Sequence, residues 1–360
     1  MTPASPLIDV ISQRLERFSA DRLDAAADLG DEAVGFVASA ADALRGGKRL
    51  RGRFCATGWR AVRGSDGALP APVVDACASL EVFQAAALVH DDIIDNSDTR
   101  RGRPSAHRAL QAQHASAGWT GDGDAFGRSA GILLGDLLLA WSADLFDDAL
   151  DGIDAPRARP RAEYARMRAE VMIGQYLDVA EESAWPRTPD AQHAGRALRI
   201  ASLKSARYSV QQPLVIGGAL AGGDEERLSA LAGLGHPLGL AFQLRDDVLG
   251  VFGDTAVTGK PAGDDLREGK RTILIAYARE RSDAPGRARI DELLGDPDLG
   301  ADEIEELRAV IVRTGALDRM EALIDAYVAE AGRALSDAPF DARAAEELGD
   351  LLHAATRRSA

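Results

Sequence analysis

Apolar residues recur at three- and four-residue spacing along almost all of this 360-residue chain. The pattern runs from about Pro6 to Leu44 and through Val74 to Ile94. It returns in 132–150, 163–179, 191–221, 228–249, 272–281 and the last sixty residues. That period lines apolar side chains along one face of a helix, and alternating strand-like runs are essentially absent. The chain is therefore predicted to be all-α. Alanine and leucine dominate and aromatics make up only 5%, which favours helix throughout. Loops are predicted at Gly46-Gly47, 64–72, 119–127, 185–189 and 253–263, where glycine, proline and aspartate gather. With no fixed-period repeat, low-complexity tail or long linker, one domain over residues 1–360 is expected, although length alone also fits two domains of ~150 residues.

The chain carries 42 basic and 57 acidic residues, a formal charge of −15, and 46% of it is hydrophobic. These values describe a soluble acidic globular protein and argue against a nucleic-acid partner. The most apolar stretch, 131–146, is interrupted by Asp136 and Asp144, so no membrane span is expected. The N-terminal residues lack a charged lead followed by an apolar block, and Cys55 and Cys77 form neither a disulfide framework nor a CxxC or Cys/His zinc pattern. The expected location is the cytoplasm.

Only four of the 42 basic residues are lysine: Lys48, Lys204, Lys260 and Lys270. An ammonium is a compact point charge suited to a phosphate oxygen, whereas guanidinium is a planar fork. A chain that otherwise uses arginine for positive charge thus draws notice to these four positions.

The stretch Leu88-Val89-His90-Asp91-Asp92-Ile93-Ile94-Asp95 sets a DDxxD pattern at the end of an apolar helix. Asp91 and Asp95 are four apart and share a face, so their carboxylates can converge on hard cations. Asp98 would continue the cluster if the helix persisted. The pattern alone is weak, since 38 aspartates in 360 positions give roughly 0.4 chance matches. A second match at Asp147-Asp148-Ala149-Leu150-Asp151 reads as a solvated helix end. What distinguishes the first is the following Thr99-Arg100-Arg101-Gly102-Arg103-Pro104. Cation-bridged carboxylates beside guanidinium forks make a diphosphate site; a surface ion-pair cluster is the competing reading.

A second acidic pair, Asp246-Asp247, follows Phe242-Gln243-Leu244-Arg245 near the end of another apolar helix, with Gly250 in the fifth position. Lys260 and Lys270 come soon after, the latter closing Asp264-Asp265-Leu266-Arg267-Glu268-Gly269-Lys270. The order suggests a metal-bound anion covered by a lysine-bearing lid. Lys204-Ser205-Ala206 and Gly174-Gln175-Tyr176-Leu177-Asp178 put polar groups inside two further helices. Gly46-Gly47-Lys48-Arg49-Leu50-Arg51 combines close backbone approach with cations, a metal-free anion pocket or a basic surface turn.

Taken in order, GGKRLR, HDDIIDNSDTRRGRPS, GDLLLA, GQYLD, KSA, FQLRDD, GKP and DLREGK resemble the trans-isoprenyl diphosphate synthases, or polyprenyl synthetases, particularly their actinobacterial geranylgeranyl diphosphate synthase branch. The motifs cover about Gly46 to Arg271. The resemblance implies a helical bundle of the isoprenoid synthase type, usually a homodimer, with a deep central cavity whose mouth carries two facing aspartate-rich motifs. Position by position, it implies that Asp91, Asp95 and Asp246 ligate three Mg²⁺, supported by Asp92 and Asp247. Arg100, Lys204, Gln243 and Lys260 would hold an allylic diphosphate (dimethylallyl, geranyl or farnesyl). Lys48, Arg51, Gln84 and Arg101 would hold isopentenyl diphosphate without metal. The family pattern is broken at Gly250, where aspartate is usual, at Gly52, where proline is usual, and at Gln84, where many relatives carry histidine.

The implied reaction ionises the allylic C1–O bond as Mg²⁺ and the cations spread the charge of the leaving diphosphate. Dipoles near Lys204, Ser205 and Gln243 would stabilise the carbocation. The double bond of isopentenyl diphosphate then attacks C1, and a C2 proton leaves to the released diphosphate. Below Asp91, Ala87 and Ala86 are too small to block a growing chain, and Phe83 lies about 12 Å down the helix at 1.5 Å per residue. A C20 product is expected, with farnesyl or longer products as alternatives; ordinary core packing is the competing reading of Phe83. A terpene cyclase needs no isopentenyl pocket, so GGKRLR argues against it. A head-to-head condensing synthase lacks these lysine-bearing loops, and a non-catalytic synthase subunit would have lost acidic motifs.

Overall fold

The computed structural model describes residues 6–64, 67–253, 263–296 and 298–356. Helices make up nearly all of it, as the apolar period requires. The only strands among the described residues are Thr99–Arg100 and Arg103–Pro104, paired antiparallel with Thr99 opposite Pro104. Their two-residue turn uses Arg101 (φ 55°) and Gly102 (φ 73°), the left-handed pair that a tight hairpin demands.

The chain forms two compact units, Met1–Trp59 with Ser65–Arg157, and Arg60–Gly64 with Ala158–Ala360. The first contains α1 (Pro6–Ala26), α2 (Asp31–Ala43), most of α3 (Leu50–Arg63), α4 (Ala71–Ile94), α5 (Ala106–Ser116) and α6 (Gly123–Asp151). Its centre is the pairing of α4 with α6. Leu134, Leu138, Leu145 and Ala149 recur at steps of four, seven and four residues along one face and are all fully buried, so they form the core stripe of α6. Two buried serines lock the pair reciprocally. Ser79 Oγ donates to Ser142 O and Ser142 Oγ donates to Ser79 O, both at 2.7 Å. Both helices are long and apolar enough to cross a membrane by length and composition, with 72% and 50% of their most apolar windows buried inside the protein.

The second unit contains α7 (Ala158–Ala184), α8 (Asp190–Ile200), a π-helical stretch (Ala201–Gln211), α9 (Gln212–Leu220) and α10 (Glu225–Phe252). After them come α11 (Asp264–Arg267), α12 (Ile273–Arg281), α13 (Ala284–Leu293), α14 (Ala301–Arg313), α15 (Ala316–Ser336) and α16 (Ala342–Thr356). Its core joins Leu244 and Val248 of α10 to Leu266, Ile273, Leu274, Leu307, Ile311, Met320 and Ile324. Trp185 stacks on His193 at 3.6 Å with the Arg271 guanidinium 5.1 Å from its ring, closing the end of α7. The helix starts at Asp122, Asp224, Thr272 and Asp283 carry side-chain caps, with Asp224 accepting from Arg227 N at 2.9 Å.

Candidate active site

In the first unit, α4 presents one half-exposed stripe, Gln84, Ala87, Leu88 and Asp91, at spacings of three, one and three. The helix then stops where the sequence left continuation open. Asn96 adopts φ 53° and Ser97 N donates to Asp92 O at 2.9 Å, a left-handed cap that satisfies the last carbonyls. Asp95 is the C-cap and Asp98 is turned out of the helix to accept from Arg108 Nε at 2.6 Å. The expectation that Asp98 extends the cluster one turn along a continuing helix is corrected by this cap. Asp91, Asp92 and Asp95 thus crowd the carbonyl end of a helix, where negative charge is disfavoured. That is a place for cations.

One cation comes from the hairpin. Arg100 donates through Nε to Asp92 Oδ1 at 2.8 Å, also bonds it through Nη2, and lies 3.8 Å from Asp91 Oδ2. Asp92 is 2% exposed, so its carboxylate orients the arginine, while Asp91 and Asp95 lie nearer the surface. Behind the motif, the His90 ring fills a notch in α6 at Gly135, where a Cβ would stand 2.6 Å from His90 Cε1.

The Gly46-Gly47 turn serves the same region. Gly47 (φ 93°) lies against the Arg101 guanidinium, 3.0 Å from Nη1 to where a Cβ would be. Arg51 hydrogen-bonds Gln84 Oε1, so the polar residue on α4 that replaces histidine is held by a predicted anion-binding arginine. Lys48 is exposed. Arg49, in contrast, is buried at φ 49° and donates to Leu44 O at 2.8 Å and Ser12 Oγ at 3.2 Å; its role is to fix the turn. The departure at Gly52 has a structural reason. Its N–H donates to buried Glu81 Oε1 at 2.9 Å, and a Cβ there would meet Ile11 Cδ1 at 2.9 Å and Cys77 O at 3.2 Å. Proline offers neither that N–H nor the clearance. Phe83 sits at 1% exposure on the core face of α4, off the stripe below Asp91.

In the second unit, Lys204 and Ser205 lie in the π-helical stretch, half-buried, and Lys204 Nζ donates to Asp178 Oδ2 at 2.6 Å. A π segment shifts register against its neighbours, and glycines hold this one from both sides. A Cβ on Gly174 of α7 would lie 2.8 Å from Leu203 C and Lys204 Cα. Cβ atoms on Gly235 and Gly239 of α10 would lie 2.7 Å from Gln211 Cα and 2.9 Å from Ala206 Cα. Gly174 of the GQYLD motif therefore places the lysine of the KSA motif. The sequence carries both signals, but nothing in it joins them.

On α10, Gln243 and Asp246 are half-buried on one stripe, and Gln243 Nε2 donates to Asp247 Oδ1 at 2.7 Å. Lys270 pairs with Asp265 Oδ1 at 3.2 Å and with Glu268. Glu182 of α7, not anticipated from sequence, is pushed above the usual carboxylate range by burial and by Asp178, with Arg271, Lys204 and Lys270 opposing; both lysines therefore act on one carboxylate. Lys260 lies outside the described residues.

Burial pushes the Asp247 carboxyl up to about 7, reinforced by Asp265 and Asp246 and opposed by the Gln243 hydrogen bond. An unfolded aspartate titrates near 3.9, so the native state favours the protonated form. Stability from this group is full below about pH 4 and is lost as pH rises to about 7. In EDTA, Asp247→Asn is expected to melt with the parent at pH 4 and above it at pH 8. Coincident melting at pH 8 would show that Asp247 ionises there without penalty.

The decoy acids behave as surface charge. Asp147, Asp148 and Asp151 lie at the end of α6, Asp147, Asp148 and Asp151 all exposed, and Asp151 pairs with Arg157 at 2.5 Å.

The geometry defines an all-helical protein that ends apolar helices in carboxylates beside arginines and lysines, a class built to handle phosphorylated ligands. The profile of the Polyprenyl synthetase family matches residues 36–311. Geranylfarnesyl diphosphate synthase of Aeropyrum pernix is 33% identical over 309 residues, covering 85% of this chain and 88% of that protein. Geranylgeranyl diphosphate synthase of Mycobacterium tuberculosis is 32% identical, covering 72% and 68%. The crystal structure of geranylgeranyl pyrophosphate synthase from Corynebacterium glutamicum, complexed with isoprenyl diphosphate and magnesium, superposes with a TM-score of 0.92 at 38% identity over 99% of both chains. The chain belongs to the polyprenyl synthetase family, with the all-α fold of its members, and is a chain-elongating trans-prenyltransferase.

Proposed function

We propose that this enzyme condenses isopentenyl diphosphate head-to-tail with an allylic diphosphate, dimethylallyl, geranyl or farnesyl, to give the C20 product geranylgeranyl diphosphate, with Mg²⁺ bound at its acidic motifs. The observation that carries this reading is the half-exposed stripe of α4. It bears an acid at its carbonyl end, small and apolar residues below, and an Arg51-bonded glutamine at its far end. The mycobacterial and corynebacterial relatives named for C20 synthesis support the product length.

Among the described residues no three acids, histidines or cysteines form a ready-made metal cage. Mg²⁺ does not need one, because it keeps several waters and takes one or two carboxylates together with substrate phosphates. Asp91 and Asp95 in the first unit, and Asp246 in the second, fit that donor set. Mg²⁺ held there would supply positive charge to diphosphate oxygens, favouring departure of the leaving group. Arg100, oriented by Asp92, adds a fork to the same oxygens. Lys204, steered by Asp178, and Lys270, steered by Asp265, act as point charges on the leaving diphosphate, as does Lys260. The hydroxyl of Ser205 and the amide of Gln243 present dipoles to the allylic cation. Lys48, Arg51, Gln84 and Arg101 hold isopentenyl diphosphate by charge and hydrogen bonds alone.

The same reading makes the protein a homodimer of single-domain chains in the cytoplasm, with no membrane span. The exposed apolar pair Ile132 (49%) and Leu133 (60%) on α6 supports a covered face, and the free buried Cys55 and Cys77 suit a reducing compartment.

Incubation with labelled isopentenyl diphosphate, each allylic primer and Mg²⁺, followed by chain-length analysis, is expected to give a C20 diphosphate. No elongated chain with any primer would favour a cyclase or a regulatory subunit. Phe83→Ala tests the floor proposed for the growing chain. Products longer than C20 are expected, along with a loss of about 3–5 kcal/mol of stability from the emptied core site. An unchanged product mixture would remove Phe83 from length control.

A further inference from the structure

We infer that Asp265 takes the place of the side chain missing at position 250, so that the second acidic site is built from Asp246 on α10 and Asp265 on α11. The inference rests on the Mg²⁺–diphosphate reading above. Position 250 lies four residues beyond Asp246, so the two share a helix face, and Gly250 is half-buried on the stripe of Gln243 and Asp246. A Cβ built on Gly250 would overlap Asp265 Oδ2 and Cγ and lie 3.2 Å from Oδ1. The Asp265 carboxylate therefore occupies the volume that an aspartate at 250 would enter.

That carboxylate is anchored from its other side. Gly269 adopts φ 74°, and with this left-handed cap the N–H of Lys270 donates to Asp265 O at 3.0 Å and the N–H of Gly269 to Leu266 O at 3.3 Å. Gly269 can fold so tightly because it presses on Gly295, whose Cα would be 2.9 Å from a Cβ at 269. Leu266, the next residue after Asp265, is fully buried. Lys270 Nζ then reaches Asp265 Oδ1 at 3.2 Å. Asp265 is thus pinned with one oxygen toward Lys270 and the other on the bare turn of α10. Any residue larger than glycine at 250 would displace it. The missing aspartate of the motif and the glycine in its place are one arrangement: the acid is delivered from the adjoining segment, already paired with a lysine.

The test is calorimetric titration of the full chain with Mg²⁺ in saturating inorganic diphosphate. Asp265→Ala is expected to weaken Mg²⁺ binding by about tenfold or more, and Gly250→Asp/Asp265→Ala to recover to within about threefold of the parent, because the second change clears the space for the first. Parent-like Mg²⁺ affinity in Asp265→Ala would overturn the inference. A double variant that melts with the parent yet binds as weakly as Asp265→Ala would also overturn it, showing that Asp265 serves only to hold Lys270. If Asp265→Ala does not fold, Asp265→Asn is measured in its place: binding about tenfold weaker supports the inference, and parent-like binding overturns it. A parent that binds no Mg²⁺ with diphosphate would overturn the functional reading and this inference together, whereas parent binding with an unaffected variant overturns only the inference.

Discussion

Asp91→Asn is expected to lower kcat/KM for chain elongation by about a thousandfold, with the melting temperature within a few degrees of the parent. The carboxylate stands half-exposed at the carbonyl end of α4, and Arg100 approaches it only at 3.8 Å. Asparagine therefore leaves the core packing intact and removes one negative oxygen from the proposed cation site. Loss of one charged ligand at a developing leaving-group charge is worth several kcal/mol, and about 4 kcal/mol corresponds to the thousandfold fall. The next residue should behave differently. Asp92 is buried and bonded to Arg100, so Asp92→Asn should lower stability as well, by about 1.5–3 kcal/mol, because the neutral amide forfeits a buried charge-assisted bond to the half-buried arginine. Steady-state kinetics with thermal melts of both variants separates the two roles. Equal loss of stability in both would show that the aspartates share one structural task.

Gly174→Ala is expected to lower kcat/KM by about a hundredfold and stability by about 1–3 kcal/mol, although its side chain is a single methyl group remote in sequence from either acidic motif. The added Cβ would stand 2.8 Å from Lys204 Cα and Leu203 C, where only backbone can yield. Overpacking of that kind is destabilising, and a shift of about 1 Å in a positioned charge is enough for a hundredfold loss. Gly195→Ala on α8, where nothing lies within 4 Å of the new Cβ, is the control. It should raise stability by about 0.5–1 kcal/mol, as for an unhindered helical glycine, and leave turnover unchanged. A Gly174→Ala enzyme with parental KM for the allylic substrate and parental kcat would show that the π-helical stretch does not depend on this contact to place its lysine.

Much of the protein was legible before its structure. The three- and four-residue apolar period determined the all-α fold, because burial of one helix face is a local consequence of sequence. DDxxD spacing placed Asp91 and Asp95 on one helix end for the same reason, and the scarcity of lysine marked Lys204 and Lys270, which both act on the Glu182 carboxylate. The end of α4 was not legible at Asp98, since the left-handed conformation of Asn96 that stops the helix competes with its continuation and wins only in the folded chain.

Tertiary structure decided what each glycine is for. Gly52, Gly174 and Gly250 look alike as letters, yet one admits a hydrogen bond from its N–H to Glu81, one seats the backbone of a π-helical turn, and one makes room for a carboxylate from another segment. A glycine records only the absence of a side chain. What fills the space comes from elsewhere in the chain, from Ile11 and Cys77, from Lys204 and from Asp265 in turn, and the distances that select it exist only once the helices have packed.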